Sequence, residues 1–123
     1  MLAFVESHLA SVDELDVLMT LTESSSRWWD ANTISRERGI PTTVSRKILD
    51  HLAARSLLDI RITDEVRYQF RPATSELASA VAGLVNEYRC HPAAVVRAVA
   101  VQSASRGARD FADAFRIRRD DDG

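Results

Sequence analysis

One cysteine, one lysine and four scattered glycines show what this 123-residue chain does without. With Cys90 alone there is no internal disulfide framework, which fits a reducing compartment. Cys90 reads as an ordinary buried thiol; a redox-sensing thiol, its pKa lowered by the helix that starts after it, is the alternative. Gly39, Gly83, Gly107 and Gly123 lie too far apart for a G-x-G phosphate cradle. His8, His51 and His91 are dispersed, and Cys90-His91 has no second pair with which to hold zinc. No nucleophile elbow occurs. No catalytic residue, metal site or cofactor is therefore expected, and the chain does not read as an enzyme. No apolar run approaches the roughly 18 residues of a membrane span. The segment Met1 to Glu6 lacks a basic leader, so the expected location is the cytoplasm.

What is present is a globular composition, 46% hydrophobic, of a length suited to a single domain. The net charge of −2 argues against a protein that coats nucleic acid indiscriminately. Its distribution is uneven. Residues 1–35 carry one basic and six acidic side chains, residues 36–71 eight basic and five acidic, and residues 72–123 seven of each. The positive excess thus sits in the middle third. All basic residues but Lys47 are arginine, a choice that suits bidentate contacts to guanine and phosphate but also follows from coding bias.

Ser11-Val12-Asp13-Glu14 has the form of a capping box and opens a helix whose inner face carries Val12, Leu15, Leu18, Met19 and Thr22. Phe4 to Leu9 reads as another turn or two of helix, and Glu23 to Arg27 as a loop. Trp28-Trp29 precedes Asp30, an N-cap for a short polar helix to Arg38; the pair suits packing against that helix, with a nucleic-acid stacking platform as the alternative. Gly39 then occupies the position where a positive φ ends a helix, and Pro41-Thr42 starts the next, Thr42 to Arg55. Val44, Ile48 and Leu52 share its inner face. Thr43, Arg46, Lys47, Asp50 and Ala54 share the outer arc, where Asp50 would repel phosphate.

Two alternating strands follow, Leu57 to Thr63 and Val66 to Arg71. Their apolar sets share one face, expected to turn to the core, only if Leu58 lies opposite Phe70, Ile60 opposite Tyr68 and Ile62 opposite Val66, which predicts a three-residue loop at Thr63-Asp64-Glu65. Arg61 then opposes Arg67, an unfavourable pair unless an anion intervenes, whether DNA phosphate or the nearby Asp59 and Glu65. Beyond Pro72, capped by Thr74 or Ser75, a helix carries the stripe Leu77, Ala78, Val81, Leu84, Val85 and Tyr88. Pro92 interrupts it. A valine-rich helix with Val95, Val96, Val99 and Val101 comes next, and an amphipathic segment holds Phe111 and Phe115.

Helix, Gly39 turn, helix and hairpin in that order outline a winged helix-turn-helix with a C-terminal helical extension, mainly α with a small β-hairpin wing. Residues 12–71 resemble the winged helix-turn-helix domains of bacterial transcriptional regulators of the MarR and ArsR group. The resemblance is carried by Leu15 to Leu18, Asn32 to Ile40, Val44 to Leu52 and Tyr68 to Pro72. Tyr88-Arg89 and Phe111 to Arg116 are similar to small bacterial winged-helix proteins of unassigned function. The expected division is 1–72 for the winged domain, 73–118 for helices that pack on it or dimerise, and 119–123 for a disordered tail. The expected partner is double-stranded DNA, contacted by Arg36, Arg38, Thr42, Thr43, Arg46, Lys47, Arg61 and Arg67. A homodimer is expected through Leu77, Val81, Leu84, Val85, Tyr88, Val95 and Val99. The other reading is a winged-helix module that docks a protein, through Phe111 and Phe115, and leaves DNA alone.

Overall fold

The computed structural model describes residues 4–5 and 9–102. Phe111, Phe115 and the tail at 119–123 lie outside them. The described residues are mainly helical with one two-stranded antiparallel sheet. In order come α1 (Val12–Glu23), α2 (Ala31–Arg38), α3 (Thr42–Ala54), β1 (Leu58–Ile62), β2 (Val66–Phe70) and α4 (Ser75–Cys90). Phe4 and Val5 are helical, as are residues 92–102. Among the described residues no helix is long and apolar enough to cross a membrane.

Ser11 caps α1, its hydroxyl accepting the Glu14 N–H at 3.2 Å. The Glu14 carboxylate returns the bond to the N–H of Ala10 rather than to that of Ser11. It is only 2% exposed, and it also meets Arg55 Nη1 at 3.1 Å and His51 Nδ1 at 3.4 Å. One acid thus fixes the start of α1 to the far end of α3. Val17, Thr20 and Leu21 are buried beside the expected Leu15, Leu18 and Met19. The burial extends beyond one face because α2, α3 and β2 all pack against this helix, while Met19 and Thr22 line a pocket together with Val85 and Tyr88.

Gly39 adopts φ 68°, its N–H bonded to the Ser35 carbonyl at 2.9 Å, and this turn sends the chain from α2 into α3. Ile48, Leu49 and Leu52 face the core, Val44 is half-buried and Ser45 is fully buried. At the other end of α3, Ser56 takes φ 66°, and the N–H groups of Ser56 and Leu57 close on the carbonyls of Ala53 and Leu52.

The strand register is the one the alternation predicts, Leu58 to Phe70, Ile60 to Tyr68, Arg61 to Arg67 and Ile62 to Val66. Trp29 adds an isolated bridge on the other edge of β2, exchanging both backbone bonds with Tyr68 at 2.7 Å. One expectation fails here. Leu58 is buried, but Ile60 is 43% and Ile62 75% exposed, because the hairpin runs on past the helices that would cover its apolar face.

Thr74 caps α4, which ends at Cys90. Cys90 is exposed, not buried as expected, since it follows the apolar stripe instead of lying on it. Val81, Leu84, Val95 and Val99 are buried in the same core cluster as Leu15, Trp29 and Leu49. These four were expected at a dimer contact, and here they cover the chain's own core. Leu77, Val85 and Tyr88 remain half-buried.

Candidate nucleic-acid interface

Three elements converge on one face: the starts of α2 and α3, and the hairpin. Asp30 caps α2, accepting the Thr33 N–H at 2.7 Å. Hydrogen bonds from Thr33 hold its carboxyl below the usual range, and the charges of Arg36 and Arg67 add to the effect. These two arginines, expected at DNA from different elements, therefore flank the same residue. No side chain caps α3, which begins after Pro41, so its first N–H groups remain open to an anion. Thr42, Thr43, Arg46 and Lys47 are all exposed on this helix.

A cleft of about 170 Å³ runs between α3 and the hairpin, lined by Asp30, Asn32, Thr42, Arg46, Glu65 and Tyr68 among others. Its polar wall carries both signs of charge, so it does not by itself select an anion. At its floor the buried Tyr68 donates its hydroxyl proton to Asp50 Oδ1 at 2.5 Å. Burial first, then the bond to Asp50 and its charge, push the Tyr68 pKa up to about 12 against the opposing charge of Arg46. Asp50 was expected only to repel phosphate from the outer arc. It also ties the angle of the hairpin to α3, a link between residues 18 apart that no local pattern announces.

The remaining expected contacts are placed as follows. Arg67 meets Glu65 at 3.6 Å and Arg71 meets Asp59 at 3.6 Å, both in solvent, where such pairs hold loosely. Arg61, opposite Arg67, sits over the Trp28 ring at 5.8 Å. Arg38 turns toward α1, 3.9 Å from Asp16, away from the others. Among the described residues Arg36, Arg46, Lys47 and Arg61 have no carboxylate within ion-pair distance. The tryptophan pair divides. Trp29 is buried against the core under Arg27, whereas Trp28 is half-buried beside Arg61. Asn32 joins the face from a position the sequence does not single out, whereas Trp28, half of the stacking platform offered as the alternative, lies beside Arg61.

Searches of protein-family models, curated proteins and solved structures find no match to this chain.

Proposed function

We propose that residues 12–71 act as a winged helix-turn-helix and that the chain is a cytoplasmic transcriptional regulator that binds double-stranded DNA. The observation that carries this reading is the outer arc of α3: its uncapped N-terminus, Thr42, Thr43, Arg46 and Lys47 all face solvent beside a hairpin bearing Arg61 and Arg67. In this reading α3 enters the major groove. Arg46 and Lys47 reach bases or phosphates, Arg36 and Arg67 take the flanking backbone, and Arg61 reaches backbone or minor groove. Arg38, already turned to Asp16, contributes least.

Titration of duplex DNA at two salt concentrations tests it. Binding should weaken with salt along a shallow slope, roughly 3–6 neutralised phosphates per protomer. Arg46→Ala with Lys47→Ala should lower affinity without loss of folding. Affinity that the double substitution leaves unchanged would remove α3 from the interface.

A second reading, a module that docks a protein, is favoured by the exposed isoleucines of the hairpin and by the carboxylates of Asp30 and Glu65 in the cleft. Absence of DNA binding at low salt and micromolar protein would favour it.

A further inference from the structure

We infer that the free edge of β1 is the seam of a homodimer, in which a second copy lays its own β1 antiparallel against it with Ile60 at the centre. The backbone leaves this edge open. Tyr68 gives both its N–H and its C=O to Trp29, while Arg71 bonds the Leu57 carbonyl and Thr63 bonds the Glu65 carbonyl. In an antiparallel ladder the bonded pairs alternate, so the odd-numbered residues of β1 face β2, and Leu58, Ile60 and Ile62 turn their backbone groups outward. Among the described residues these three make no backbone bond beyond the hairpin. The Ile60 N–H is taken up only by the adjacent Asp59 Oδ1 at 3.1 Å.

An open strand with exposed Ile60 and Ile62 is a template for another strand. What selects a second copy of this chain is the sequence Leu58-Asp59-Ile60-Arg61-Ile62, which is its own complement. Centred on Ile60, the pairing sets Leu58 against Ile62 of the other copy on the apolar face and Asp59 against Arg61 on the polar face, twice over. A slip by one residue sets apolar against polar. A slip that recentres on Arg61 or Asp59 opposes like charges. Such a contact is self-complementary, as a two-fold interface must be. It forms without DNA, but it draws Asp59 from Arg71 and takes Arg61 from the DNA contact proposed for it, leaving Arg67 as the basic residue of the hairpin free for DNA. It uses none of Val81, Leu84, Val95 and Val99, which the core already holds.

Light scattering of the full chain at tens of micromolar should give twice 13.7 kDa. Asp59→Arg and Arg61→Asp should each reduce this to a single chain, because each places two like pairs across the seam. Mixed one to one they should recover the doubled mass, since every cross-seam pair is then arginine against aspartate. A wild type of 13.7 kDa overturns the proposal. So does a doubled mass that survives both substitutions, which would move the contact to Leu77, Val85 and Tyr88, and so does a mixture that stays monomeric. Should a variant fail to fold, hydrogen exchange on the wild type reads the same seam. The Ile60 and Ile62 amides should be protected at high concentration and lose protection on dilution, and amides unprotected at both concentrations overturn it.

Discussion

At the scale of single residues, Tyr68 does most to set the geometry of the candidate face, since its backbone holds Trp29 and its hydroxyl holds Asp50. Its folded pKa of about 12 stands above the 10.0 of an unperturbed tyrosine, so the unfolded chain gives up this proton first. The stability that the neutral phenol carries is complete below pH 10.0 and is lost as pH rises toward 12. Denaturant unfolding at about pH 8 and about pH 11 should show this loss in the wild type and a smaller one in Tyr68→Phe. The substitution itself should cost about 1.5–3 kcal/mol near neutrality through the lost hydrogen bond to a carboxylate. An identical high-pH loss in both proteins would assign the effect to other groups.

At the scale of elements, Glu14 links α1 to the last turn of α3, and its removal leaves Arg55 and the Ala10 N–H without their acceptor. Glu14→Ala should destabilise by about 2–3 kcal/mol, read as a lower urea midpoint at unchanged slope. A change within error would mean that solvent replaces the carboxylate at no cost. Much of the element order was legible beforehand, for local reasons. Gly39 marked a left-handed residue, Ser11 and Asp30 marked caps, Thr74 or Ser75 was offered as a third and Thr74 takes it, and period-two alternation fixed the hairpin register without knowledge of the core. Alternation names a face but not what covers it, and so Ile62 was expected inside and lies outside. The Glu14–Arg55 and Tyr68–Asp50 contacts span 41 and 18 residues, and no periodicity of one element encodes a partner on another. Of the candidate face, the outer arc of α3 was readable from helical spacing, whereas its connection to the hairpin was not.

At the scale of the molecule, the described residues on either side of Pro72 share one core, since Val81, Leu84, Val95 and Val99 join Leu15, Trp29 and Leu49. Leu84→Ala should therefore cost about 2–5 kcal/mol and lower one unfolding transition for the whole chain. Calorimetry that resolved two transitions, only one of them shifted, would separate the C-terminal helices from the rest. The division of the tryptophan pair reaches beyond stability. The chain has two indoles, one sealed under Arg27 and one half-open beside Arg61 on the hairpin. Its intrinsic emission is thus the sum of a shielded fluorophore that follows the integrity of the core and an accessible one that follows what touches the hairpin. Collisional quenching can tell the two apart, so the native chain carries its own optical gauge of folding and of occupancy without an added label.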